Sequence, residues 1–201
     1  MIRLFVGIEL PEELRQRMVL IQTGVERAKW VAEENLHLTL RYIGEVSGND
    51  AADAADALST VHASPFQVTV DGAGHFESRK RVRALWLGVE RSGALVGLRD
   101  RIESALVRAG LEPERRKYKP HITIARLNNG SPGLAREWLA SNTMFRAIPF
   151  TVEKFTLFSS HLGREKAIYT AEAEYPLWME SDAEITASQA PADSSQPEIL
   201  D

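Results

Sequence analysis

Two short segments, His37-Leu38-Thr39-Leu40 and His121-Ile122-Thr123-Ile124, constrain this chain more than any other feature of it. Each sets a histidine and a threonine two positions apart, interleaved with aliphatic residues. On a β-strand, residues two apart share a face. Leu36, Leu38 and Leu40 are therefore expected to pack into a core while His37 and Thr39 point the other way. In the second copy Ile122 and Ile124 are expected inside, with His121 and Thr123 outside. Two such pairs, with aliphatics at all four interleaved positions, arise in roughly one shuffled chain in a thousand. The pair is a design rather than two polar strand faces.

The rest of the chain supplies elements around these strands. Met1–Glu9 reads as a buried strand, and Pro11-Glu12-Glu13 opens a helix, with proline at the first position and acids at the positive end of the dipole. Leu14, Met18, Ile21 and Val25 continue it at helical spacing. Asn49–His62 is Ala-rich and helical, ended by Ser64-Pro65. Strand-like runs Phe66–Val70 and Val82–Val89 are separated by the Gly-rich Asp71-Gly72-Ala73-Gly74. Ser92–Ala109 predicts an amphipathic helix with Leu95, Leu98, Ile102 and Leu106 inward and Gly110 closing it. Further strands are expected at His121–Leu127, Phe150–Phe158 and Ala167–Glu174, with a short helix near Leu134–Leu139 and a turn at Ser159–Gly163. No Gly-rich nucleotide fingerprint opens a helix. The pattern predicts an α+β fold of two lobes with mainly antiparallel sheets.

Composition narrows the function classes. No apolar run approaches the roughly 20 residues of a membrane span, and the N-terminus is too soon interrupted to read as a signal peptide. There is no cysteine, hence no disulfide, thiolate nucleophile or cysteine metal site. A cytoplasmic protein is expected. Six of the 28 acids lie from Glu180 onward, where there is no Lys or Arg, so the remaining chain holds 24 basic and 22 acidic residues. Residues 180–201 read as an acidic, disordered tail beyond a domain of residues 1–179. Two basic clusters, Arg79-Lys80-Arg81-Val82-Arg83 and Arg115-Arg116-Lys117-Tyr118-Lys119, are candidates for contact with a polyanion, or simply solvated loops.

The chemistry explains why two histidine strands are useful. Opening a cyclic phosphodiester with water needs a base for the water's proton and an acid for the departing oxygen on the opposite side. Histidine suits both roles because its ordinary pKa lies near neutrality. The hydroxyls of Thr39 and Thr123 are placed to donate to the non-bridging oxygens, where charge builds. This scheme calls for no metal and no cofactor.

At these residues the sequence resembles the 2H phosphoesterase superfamily, and within it the bacterial and archaeal RNA 2′,3′-cyclic phosphodiesterases, historically called 2′-5′ RNA ligases. The likeness runs to about Trp178. It includes Arg3-Leu4-Phe5-Val6-Gly7-Ile8, Glu34-Asn35-Leu36-His37-Leu38-Thr39-Leu40-Arg41-Tyr42-Ile43-Gly44-Glu45-Val46, Leu85-Trp86-Leu87-Gly88-Val89 and Lys119-Pro120-His121-Ile122-Thr123-Ile124-Ala125-Arg126. The resemblance implies two pseudo-symmetric βα lobes around a cleft, each contributing one motif. It implies a 2′-phosphate product, with His37 as proton donor and His121 as proton acceptor. Residue chemistry alone gives the pair and not that order. The roles exchange in the reverse, ligating direction.

Arg126, just past the second motif, is a candidate cation beside the phosphate. Arg41 is a second, although its strand face fits the lobe rim equally well. Phe76 and Tyr118 are candidates for base stacking, with packing as the alternative. The implied partners are RNA 3′ ends, tRNA fragments among them, or small cyclic nucleotides, with no membrane; a monomer is expected. His62, His75 and His161 read as surface groups. None of these three has a partner at metal-ligand spacing, a His37–His121 metal site with added carboxylates is a minor alternative, and no G-x-S-x-G elbow appears. The rival reading is a binding module that keeps the cleft and recognises nucleotides or RNA ends without turnover.

Overall fold

The computed structural model of the protein describes residues 1–130, 132–162 and 167–178. The expected acidic tail, residues 180–201, lies outside them. Strands β1 (Ile2–Glu9), β3 (His37–Val46), β9 (Lys154–Leu162) and β10 (Ala167–Pro176) form one sheet in the order β10-β9-β1-β3. Strands β2 (Ala28–Trp30), β5 (Val70–Ser78), β6 (Arg81–Val89) and β7 (His121–Gly130) form another, in the order β2-β7-β6-β5. β4 (Phe66–Val68) and β8 (Phe150–Val152) make a short pair. Every pairing among these strands is antiparallel.

Among the described residues the α-helices are α1 (Glu12–Leu20), α2 (Gly48–Ser59), α3 (Gly93–Arg108) and α4 (Pro132–Asn142), with a 3-10 turn at Glu33–Asn35. α2 packs against β1 and β10, α3 against β3, and α4 against β5 and β6. α2 starts with a reciprocal capping box between Ser47 and Asp50. Ser92 caps α3 by accepting from the Leu95 amide. That helix buries Leu95, Leu98, Ile102 and Leu106, and Gly110 follows its end at φ +93°, where a side chain would be strained. None of the described helices is long and apolar enough to cross a membrane.

Several boundaries differ from the sequence expectation. The apolar series through Val25 is not one helix: α1 stops at Leu20, and the chain turns to add β2 to the edge of the second sheet. The Gly-rich stretch Asp71–Gly74 is not a separator but part of β5. Gly74 is required there because a Cβ would stand 2.1 Å from the Trp86 ring laid across it. The run Phe150–Phe158 is two strands, broken at Glu153, and His161 lies within β9 rather than in a turn.

Candidate active site

The two sheets approach each other along β3 and β7, so the two motif strands face a common cleft. Leu36, Leu38, Leu40, Ile122 and Ile124 are all buried, at most 3% exposed, as the alternation demands. Both strands then break that alternation in the same way. Between Val6↔Arg41 and Gly7↔Thr39, β3 carries one residue more than its partner β1. Between Leu85↔Ala125 and Trp86↔Thr123, β7 likewise carries one more than β6. A β-bulge of this kind reverses the faces beyond it. Arg41 and Ala125 are consequently buried next to Leu40 and Ile124, while Tyr42 and Arg126 emerge exposed.

The bulge decides the fate of the two candidate cations. Arg126 joins the face of His121 and Thr123. Its positive charge acts on both imidazoles, depressing the pKa of each. Arg41 turns inward and is only 6% exposed. Its Nε donates to Glu103 Oε2 at 2.5 Å, and its remaining nitrogens donate to the carbonyls of Tyr42 and Glu112. The structure thus gives Arg41 a buried anchor between β3 and α3 and does not bring it to the cleft.

Each histidine is oriented by the residue two positions before it. His37 Nδ1 donates to the Asn35 carbonyl at 2.7 Å, and His121 Nδ1 to the Lys119 carbonyl at 2.7 Å. A carbonyl only accepts, so Nδ1 carries the proton and Nε2 the lone pair in both rings. The Thr39 hydroxyl lies 2.9 Å from His37 Nε2 and donates to it. Burial pushes His37 down to about 4, partly opposed by the Asn35 carbonyl, with the Arg126 and His121 charges lowering it further. Burial also lowers His121, with the charges of Lys119 and Arg126 adding to it and the Lys119 carbonyl opposing.

Aromatic rings fix both imidazoles. Phe5 lies 4.7 Å from His37, and Tyr169 meets it edge-on at 5.4 Å. Phe76 meets His121 edge-on at 4.7 Å, with Trp86 at 6.2 Å. Lys119 Nζ sits 4.2 Å from the Trp86 ring centroid and 5.6 Å from that of Phe76. Tyr118 ties the lobes: its hydroxyl reaches the Thr39 carbonyl at 3.4 Å, and Arg99 covers its ring at 5.7 Å. Burial raises its phenol pKa. Sequence reasoning passed over Tyr42, Phe5, Tyr169 and Trp86. For Tyr42 alone position was a legible signal: it follows His37 by the interval at which Arg126 follows His121. Among the described residues no group of three or more His, Asp or Glu could hold a metal ion.

Two antiparallel lobes with one His-x-Thr strand each, facing a shared cleft, define the fold of the 2H phosphoesterases. Residues 10–164 match the model of the 2′-5′ RNA ligase superfamily, and the chain belongs to that family. It is 34% identical to an RNA 2′,3′-cyclic phosphodiesterase of Thermotoga maritima, over 83% of this chain and 91% of that protein. Identity to an Escherichia coli protein of the same description is 30%, over 84% of this chain and 92% of that one. The structure of E. coli LigT complexed with 3′-AMP superposes with a TM-score of 0.73 at 29% identity, covering 88% of this chain and 98% of that one. LigT has also been crystallised complexed with NADP+, with a TM-score of 0.71 and 28% identity, over 89% of this chain and 98% of that one.

Proposed function

We propose that the protein hydrolyses the 2′,3′-cyclic phosphate at the end of an RNA to a 2′-phosphomonoester, by acid/base catalysis without a metal. The observation that carries this reading is the pair of imidazoles on equivalent strands, each with Nε2 unprotonated and with Arg126 acting on both. Water attacks phosphorus as His121 Nε2 takes its proton. The bond from phosphorus to O3′ breaks, and His37 returns a proton to that oxygen. The Thr39 and Thr123 hydroxyls and the Arg126 guanidinium stabilise charge on the non-bridging oxygens. Phe76 and Trp86 hold the His121 ring.

His37 must be protonated to act as donor, yet burial keeps it neutral down to about pH 4 in the free protein. The negative charge of a bound cyclic phosphate beside Nε2 favours the imidazolium and raises that value. Activity that depends on protonated His37 is therefore expected to persist to higher pH in kcat than in kcat/KM.

The test is incubation with an RNA oligonucleotide ending in a 2′,3′-cyclic phosphate, in excess EDTA, followed by phosphorus NMR, with His121→Ala alongside. Conversion to the 2′-phosphate by wild type alone is expected. Tight binding with no conversion would replace this reading with a non-catalytic RNA-end binding module.

A further inference from the structure

We infer that the β5–β6 hairpin tip, Arg79–Arg83, together with Lys29 and Arg126, forms the track that holds the RNA strand 5′ of the terminal cyclic phosphate. The inference rests on the cyclic-phosphate reading above and adds where the remainder of the substrate lies.

Register places the track. Lys29 pairs directly with Arg126, Arg126 with Ala84, and Ala84 with Phe76. Directly paired residues share a sheet face, and Phe76 touches His121, so the row Lys29–Arg126–Ala84–Phe76 lies on the histidine face. Next to Ala84, Arg83 is the extra residue of a bulge in β6, set between the pairs Phe76↔Ala84 and Glu77↔Val82. Lys29, Arg79, Lys80, Arg81, Arg83 and Arg126 are all exposed. Glu77, the acid nearest the tip, is 3.8 Å from His75, and none of these six cations forms an ion pair among the described residues. From Ala84 to the tip is about 13 Å at ~3.3 Å per strand residue, the reach of about two nucleotides.

The turn supplies an independent observation. Ser78 pairs with Arg81, leaving a two-residue loop of Arg79 and Lys80 at φ 51° and 58°. Such a loop favours Asn-Gly, because both positions need the left-handed region that longer side chains adopt at a cost. The chain holds two cations there against local preference, and strain of this kind concentrates at functional sites. In the other basic cluster Lys119 lies against Trp86 and Phe76 beside His121, but Arg115, Arg116 and Lys117 precede it on a loop. That loop is tied down by acids, Glu103 accepting from the Glu114 amide and Glu114 from the Arg116 amide.

The experiment compares kcat/KM for a 2′,3′-cyclic mononucleotide with that for a six-nucleotide RNA of the same 3′ end, across salt concentrations. For the wild type the oligonucleotide is expected to be favoured, with an advantage that falls as salt rises, by a log–log slope of roughly −0.7 per phosphate contacted. Arg79→Asn/Lys80→Gly should raise the melting temperature, because the turn is relieved, while cutting the oligonucleotide-to-mononucleotide ratio roughly ten-fold at low salt. Arg81→Gln/Arg83→Gln should reduce the ratio and flatten the slope. An unchanged ratio in both hairpin variants overturns the inference. So does a ratio abolished instead by Arg115→Gln/Arg116→Gln/Lys117→Gln. Turnover of neither substrate by the wild type overturns the cyclic-phosphate reading, and this inference with it.

Discussion

In the first lobe β3 opens on His37 and Thr39, bulges after Leu40, and exposes Tyr42; in the second, β7 opens on His121 and Thr123, bulges after Ile124, and exposes Arg126. The neighbours across the ladder differ. Glu9 stands opposite His37 where Gly88 stands opposite His121, and Gly7 opposite Thr39 where Trp86 stands opposite Thr123. Phe5 faces Tyr42 where Ala84 faces Arg126. The strand paired with each motif, β1 or β6, therefore puts one aromatic, Phe5 or Trp86, near the histidine, from a different rung of the ladder. The backbone repeat fixes where the two imidazoles point. The neighbours decide how dry each is and what charge stands nearby, which lets one fold hold two histidines in unlike surroundings.

The sharpest way to break the symmetry is to remove one histidine at a time. His37→Ala and His121→Ala are each expected to lower kcat by several orders of magnitude with the melting temperature little changed. Activity retained in either variant would mean the lobes are not partners in one reaction. Next comes the buried position. Arg41→Ala leaves Glu103 without its closest partner and is expected to cost about 3–5 kcal/mol in denaturant unfolding. Ala125, its counterpart, has no such partner to lose. A small effect at Arg41 would show that the bulge alone anchors β3.

Thr39→Ala and Thr123→Ala should each lower kcat/KM by roughly 10- to 1000-fold if both hydroxyls meet the phosphate. A loss confined to Thr39 would assign it to holding the His37 ring. The pH dependence of stability sharpens the contrast further. His37 has a folded value near 4 against an ordinary 6.5, so the unfolded chain binds the extra proton between those limits. Its contribution is present above about pH 6.5 and is lost as pH falls toward 4. His37→Gln should flatten that part of the curve in urea titrations at stepped pH. Tyr118→Phe has the smallest expected effect. It removes one hydroxyl contact of 3.4 Å to the Thr39 carbonyl, worth about 1 kcal/mol or less.

The alternation that reads His37 and Thr39 as outward and Leu38 as inward is local, because it depends only on the pleat of one strand. So is the apolar stripe of α3. Those features, the α+β class and the paired histidines were legible in the residues. Arg41 shows where that reading stops. Its face depends on a bulge, and a bulge exists only as a mismatch between the residue counts of two paired strands. The same reason hid Tyr42 and gave Arg126 its place. Gly74 was misread because glycine marks both a turn and a close approach, and only the position of Trp86, twelve residues later in sequence, distinguishes them. Sequence by itself determined the paired histidines and the strands that carry them. Tertiary structure decided which cations face the cleft, since facing is set by partners that the chain meets only when folded.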